Sequence, residues 1–147
     1  MGTARRWFAR DGVGYTSKEM PEPAAELFSM DLPCDPRAPR AVRDALDRSE
    51  DIGCVLGDAT LVATELVTNA VRHSGCSAHQ TLEVRVDVRP ERLRISVRDP
   101  GRSGREAEVR SGQTVGGWGL QIVEQLAERW GSERAEGYQV WAEIGML

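Results

Sequence analysis

The sequence predicts an α+β fold, a two-layer sandwich in which a mixed β-sheet carries about three helices on one face. Three observations predict it. Residues 81–99, TLEVRVDVRPERLRISVRD, alternate apolar and polar side chains on either side of a Pro-Glu turn, the pattern of a β-hairpin with one buried face. Two stretches of helical period precede that hairpin, and a third follows it. The order reads β-α-α-ββ-loop-α-ββ, and helices in such an order bury their apolar stripes against the sheet.

Residues 1–23 mix Gly, Arg, Ser, Lys and Pro without an apolar period; they are expected to form a mobile extension, leaving 24–147 as one domain. Ala25 to Leu32 is β-like and ends at Pro33. Asp35 is placed to cap a helix that begins at Pro36, PRAPRAVRDALDRSE, with Ala41, Val42, Ala45 and Leu46 inward and Pro39 in the tolerant first turn. Gly53 and Gly57 break the chain before a second helix, about Asp58 to His73. In the hairpin, Leu82, Val84, Val86 and Val88, then Leu93, Ile95 and Val97, mark the buried face. Residues 100–116 form a polar, glycine-bearing loop, long enough to require function or disorder. A third helix runs from about Gly119 to Trp130, with Leu120, Val123, Ala127 and Trp130 on one stripe and Gly131 placed to end it. Strand-like runs at 132–136 and 138–145, around a turn at Gly137, close the chain. There are no internal repeats.

Composition narrows the function. A chain of 147 residues, 40% hydrophobic, suits one compact domain. A net charge of −4 provides no basic field for phosphate backbones, which argues against direct nucleic-acid binding. Cys34, Cys54 and Cys76 are an odd set without a CxxC pair; they read as reduced thiols rather than a disulfide framework, and they lack the close pairing of a zinc site. No apolar h-region follows Arg5 and Arg6, and no run reaches the length of a membrane span. The expected setting is the cytoplasm, with no membrane contact.

Three segments carry chemistry. In ELVTNAVRHSG, Glu65, Asn69 and His73 stand four residues apart, so they occupy a wedge of about 80° on one helix. Val62 falls inside that wedge and Leu66 beside it, so the row borders the buried stripe, where the wall of a cleft would lie. Hydrogen bonding at a core boundary would explain the row; so would a metal-nucleotide site, since an amide oxygen suits Mg²⁺ and a carboxylate can accept a proton. In RISVRDPGRSG a strand ends at Asp99, followed by Pro100 and Gly101. That is ordinary turn chemistry, and equally a carboxylate placed to accept from an exocyclic amine, with a glycine that lets a base plane approach. In GGWGLQIVEQLAERWG, Gly116, Gly117 and Gly119 precede the third helix, either as a hinge or as an anion site at free backbone N–H groups. The segment is neither a P-loop nor a dinucleotide fingerprint.

Together, E-x-x-x-N-A-x-x-H on a helix, D-P-G after a strand and G-G-x-G-L opening a helix resemble the GHKL (histidine kinase-like) ATP-binding superfamily. The wording ELVTNAVRHS, and RWG followed by G-x-x-V-W, is most similar to the small bacterial anti-sigma factors that are also serine kinases. The likeness runs from Leu32 to Ile144. It implies the histidine kinase-like ATPase fold, an ATP–Mg²⁺ ligand and a protein serine/threonine kinase. It also implies two partners, a sigma factor and an anti-sigma factor antagonist, and a homodimer as a family expectation.

By the same resemblance, Asn69 ligates Mg²⁺ and Glu65 is the general base. Histidine kinases usually carry asparagine at the Glu65 position; a serine nucleophile is poorer and benefits from a base beside it. His73 lies near the phosphates, and Arg72 either neutralises them or is solvated. Asp99 binds adenine with Gly101 beside it. Gly117, Trp118, Gly119 and Leu120 form the phosphate-side turn, and residues 102–116 form a lid. The sequence departs from the family pattern at Ser103, where a second glycine is usual, at the bulky Trp118, and at Tyr138 and Gln139, where Thr or Lys commonly follows the hairpin glycine. Other readings of the same likeness are an ATP-dependent binding module without transfer, a weak ATPase, and a detached histidine kinase fragment.

Overall fold

The computed structural model describes residues 6–9, 14–15, 24–101, 119–134 and 136–146. The strands are β1 (Arg6–Ala9), β2 (Gly14–Tyr15), β3 (Ala25–Pro33), β4 (Thr81–Arg89), β5 (Arg92–Asp99), β6 (Arg129–Arg134) and β7 (Tyr138–Gly145). The helices are α1 (Ala38–Asp47), α2 (Leu56–His73) and α3 (Gly119–Leu126), with a 3₁₀ segment over Glu50–Val55. The fold class is α+β, as expected. Within the stretch expected to be an extension, β1 and β2 continue the sheet beyond β6.

The strands form one sheet in the order β2-β1-β6-β7-β5-β4-β3. Every pairing among the described residues is antiparallel, so the sheet is not mixed in its ladders. The reason is the place of β7. Strands β5 and β6 run parallel, joined through α3, but β7 pairs antiparallel with both and lies between them.

Alternation built the central strands as the sequence predicts. Leu82, Val84, Val86, Leu93, Ile95 and Val97 are buried on the helix side with Val140, Ala142 and Ile144 of β7. From α2, Ala59, Val62, Ala63, Leu66 and Val67 pack into the same core, joined by Val42 and Leu46 of α1 and Val123 of α3. Each of the Val, Leu and Ile side chains contributes roughly 1.5–3 kcal/mol on leaving water. The opposite face is polar, with a buried carboxylate at its centre. Glu143, 2% exposed, accepts hydrogen bonds from Arg94 and Arg129, and Arg94 also stacks over Trp141 at 4.2 Å.

Several boundaries differ from the sequence reading. The first helix begins at Ala38 because Asp35 folds back on the preceding turn: its Oδ1 accepts from the Arg37 backbone N–H at 2.8 Å. Gly53 and Gly57 do not break the chain; Gly53 lies in the 3₁₀ segment and Gly57 in the first turn of α2. The last helix ends at Leu126, and Trp130 and Gly131 belong to β6. Trp130 is buried as the stripe predicts, but a strand delivers it. By length and apolar composition Glu50–His73 would suffice to cross a bilayer, contrary to the sequence expectation. Its apolar side is the core face of α2, which is the behaviour of a core helix.

The cysteine expectation is also overturned. Cys34 and Cys76 form a disulfide, with Cα atoms 6.2 Å apart. Their separation of 42 residues concealed the pairing. The β3–β4 ladder closes that distance: it ends at Pro33 opposite Thr81, and the Cys34 N–H then donates to Gln80 O at 3.1 Å. Closing a loop of that size stabilises by about 4 kcal/mol in the chain-entropy account. Cys54 is a free, exposed thiol.

Candidate functional site

The topology sends three segments to one end of the sheet. Strand β5 finishes at Asp99, opposite Tyr138 at the start of β7. The start of β4 lies beside that end, since Glu83 pairs with Arg98. Residues 74–80 link the C-terminus of α2 to this start of β4, so His73 is delivered to the Asp99 end. Helix α3 leads into β6 at Arg129, which pairs with Glu143 far from Asp99. Its C-terminus is therefore at the far end, and its first residue, Gly119, stands roughly 12 Å away along the helix axis, the length of eight helical residues.

On α2, Glu65, Asn69 and His73 are all partly buried and border the stripe formed by Val62 and Leu66. None of these three side chains makes a hydrogen bond among the described residues, and His73 Nε2 is buried without a partner. A buried nitrogen left unbonded costs about 1–3 kcal/mol, so among the described residues the row has an unmet hydrogen bond. Arg72 lies on the exposed side of the same turn.

The Asp99 corner is more settled. Asp99 is 7% exposed, and its Oδ1 accepts from the Gly101 N–H at 2.7 Å. Burial raises its carboxyl above the usual aspartate range, and the Gly101 N–H opposes that shift. Its Oδ2 has no hydrogen-bond partner among the described residues, which leaves one acceptor available. Two glycines with positive φ, Gly101 (84°) and Gly137 (114°), bring the turns together. A Cβ on Gly101 would stand 3.0 Å from Gly137 Cα, and one on Gly137 would collide with the main-chain oxygen of Asp99. Gly137 was absent from the sequence-derived site; its signal was its place as the turn residue of the last hairpin.

Of the glycine segment, Gly119 and Leu120 open α3, and the Leu120 side chain packs against the core. Gly117, Trp118 and the lid expected over 102–116 lie outside the described residues. A divalent ion fits the donor set of the described residues through Asn69. Among the described residues no three His, Cys, Asp or Glu side chains cluster, so a hard ion at α2 would take Asn69 and draw its remaining oxygens from phosphate and water. The polar row suits that division.

Comparison with known proteins bears on the family and the fold. The family described as histidine kinase-like ATPase domain matches residues 32–144. No curated protein matches. Among solved structures, the chain is similar to the RsbU and RsbW domains of Rv1364c from Mycobacterium tuberculosis, with a TM-score of 0.60 and 22% identity over 84% of this chain and 32% of that one. It is also similar to the histidine kinase domain of the blue-light activated histidine kinase EL346 from Erythrobacter litoralis, with a TM-score of 0.51 and 22% identity over 78% of this chain and 62% of that one. The chain thus spans about a third of the first of these and under two thirds of the second. At such identity the likeness is one of fold.

Proposed function

The chain belongs to the histidine kinase-like ATPase family, and from that premise we propose that it binds ATP with Mg²⁺ at the Asp99 end of the sheet and phosphorylates a serine or threonine of a partner protein. The observation that carries this reading is the pairing of two unsatisfied features at one sheet end. Asp99 presents a free Oδ2, and α2 presents Glu65, Asn69 and His73 without hydrogen bonds among the described residues. Asp99 accepts the adenine amine through Oδ2, with Gly101 leaving room for the base. Asn69 supplies the protein ligand to Mg²⁺, whose role is to neutralise phosphate charge. Gly119, with Gly117 and Trp118 before it, offers backbone N–H groups to the phosphates.

Glu65 serves as base. It takes the proton of the attacking hydroxyl as the bond from that oxygen to the γ-phosphorus forms and the bond to the bridging oxygen of ADP breaks. The partners implied by the sequence likeness are a sigma factor, held by the regulator, and its antagonist, which receives the phosphoryl group. A cytoplasmic setting and a homodimer belong to the same proposal.

Incubation of the protein with γ-labelled ATP, Mg²⁺ and the antagonist proteins of the same genome tests it. The expected outcome is acid-stable label on a serine or threonine of one antagonist. Saturable ATP binding with no labelled partner would support the binding-module reading, and slow phosphate release without a partner the weak ATPase. No ATP binding at all would overturn the proposal.

A further inference from the structure

We propose that Cys34 and Cys76 form a thiol–disulfide exchange site, opened by dithiol reductants, whose state sets how firmly the last turn of α2 presents His73 and Asn69. The residues of one short stretch carry it. Cys34 holds both sides of the loop leaving α2: its backbone N–H binds Gln80 O at 3.1 Å, and its sulfur binds Cys76. Ser74 stands between them and the helix. Its N–H donates to Ala70 O at 3.1 Å, the final bond of α2. Its hydroxyl, on a residue 5% exposed, donates to Cys76 Sγ at 2.7 Å and lies 3.9 Å from Cys34 Sγ. The neighbour of Ser74 is His73, with its buried, unbonded Nε2. Opening the disulfide removes the one covalent tie among the described residues here and leaves the last turn of α2 held to β3 by the weaker contacts at Ser74 and Gln80.

The exchange chemistry follows from exposure. Cys34 is buried and Cys76 partly exposed, so a reductant thiolate reaches Cys76 Sγ. The new bond joins that sulfur to the reductant, the Cys34–Cys76 bond breaks, and Cys34 leaves as a thiolate that takes up a proton. The second thiolate of the reductant then attacks its own bound sulfur, releasing Cys76 and a cyclic disulfide. Two electrons and two protons pass from the dithiol to the protein. The Ser74 hydroxyl, within reach of both sulfurs, stabilises each departing thiolate, and a more stable leaving thiolate departs faster. In a reducing compartment a disulfide of this kind is transient and serves sensing rather than architecture.

The nucleotide readout of this inference rests on the ATP-binding proposal; the exchange site itself does not. The test uses the full chain oxidised, the full chain reduced with dithiothreitol, and the Cys34→Ser/Cys76→Ser double variant. Alkylation followed by mass spectrometry should find one reactive thiol, Cys54, in the oxidised chain and three in the reduced chain. ATP–Mg²⁺ should bind the reduced chain more weakly by about fivefold or more, the lower range of a coupling between two sites. The double variant should match the reduced value and ignore dithiothreitol. Equal affinity in the two states of the wild type would overturn the coupling, and three reactive thiols after oxidant treatment would overturn the site. Hydrogen exchange over residues 70–76 covers the case in which neither state binds ATP. It should be faster in the reduced chain, and equal rates would sink the inference while leaving the fate of the ATP proposal separately visible.

Discussion

The Asp99 corner and the polar row of α2 lie at one end of the sheet but are finished to different degrees. At the corner, Oδ1 is bonded to the Gly101 N–H, two positive-φ glycines interlock, and a single acceptor remains. On α2, Glu65, Asn69 and His73 are in place but bonded to nothing described. The difference teaches where ligand energy would go. On the proposed reading, a base meeting the corner would find a rigid acceptor and pay little for order, whereas the row would be satisfied by what the ligand brings: phosphate, ion and water. The proposal thus places recognition in the backbone and leaves chemistry to side chains that wait.

The sharpest way to break this contrast is Glu65→Gln. The substitution keeps shape and removes the base, so phosphotransfer should fall by roughly 10² to 10⁴ while ATP affinity stays within a few-fold. Titration for binding and single-turnover labelling for transfer separate the two. Unchanged transfer would remove Glu65 from the chemistry. Abolished binding would instead make α2 a recognition element, and the contrast between the regions would collapse.

Much of this was legible in the sequence, and the reasons differ by element. The β4–β5 hairpin was clear because strict alternation records a sheet with one apolar face. The three polar residues of α2 were legible as a row because helical spacing fixes their relative angle. The end of α3 was not, because Trp130 satisfies a helical stripe and a strand alternation equally, and pairing of β6 with β7 decided between them. Cys34 and Cys76 escaped for a similar reason: their adjacency is created by the β3–β4 ladder, which no local spacing reveals. Gly137 was read as a turn, but its approach to Asp99 depends on β5 and β7 being neighbours across a long interval.

The corner is broken from either side. Asp99→Asn should weaken ATP binding by roughly 10- to 100-fold, the worth of one charge-assisted hydrogen bond, and erode the preference for ATP over GTP. Gly137→Ala should do similar harm without touching the carboxylate. Its Cβ would meet the Asp99 main chain and its φ of 114° is strained for alanine, which together should cost the fold about 1–3 kcal/mol. Gly57→Ala is the control, since nothing lies within 4 Å of a Cβ there. Thermal melts and nucleotide titrations of the two alanine variants should diverge. If Gly137→Ala melts and binds like the control, the interlock of the two turns does not position Asp99.

The smallest effect is the most specific to the corner, because it depends on protonation of one group. Burial raises the Asp99 carboxyl above its ordinary value of 3.8. The folded chain therefore holds this proton more tightly than the unfolded chain. Its contribution to stability is present below the unfolded value and is lost as pH rises through the raised folded value. Nucleotide binding has the opposite sign. Adenine is accepted best by the ionised carboxylate, so ATP affinity should decline as pH falls through the raised value, earlier than it would beside an exposed aspartate. The decline is roughly a few-fold over the first pH unit, since one unit corresponds to at most a tenfold change. Protonation of adenine itself also weakens binding in acid, and Asp99→Asn isolates that part because it has no carboxyl to titrate. The ratio of wild-type to variant affinity should therefore narrow as pH falls. A ratio that stays constant from neutral to mildly acidic pH would mean that the Asp99 carboxylate does not face the base, and the settled corner would then be a turn without a recognition role.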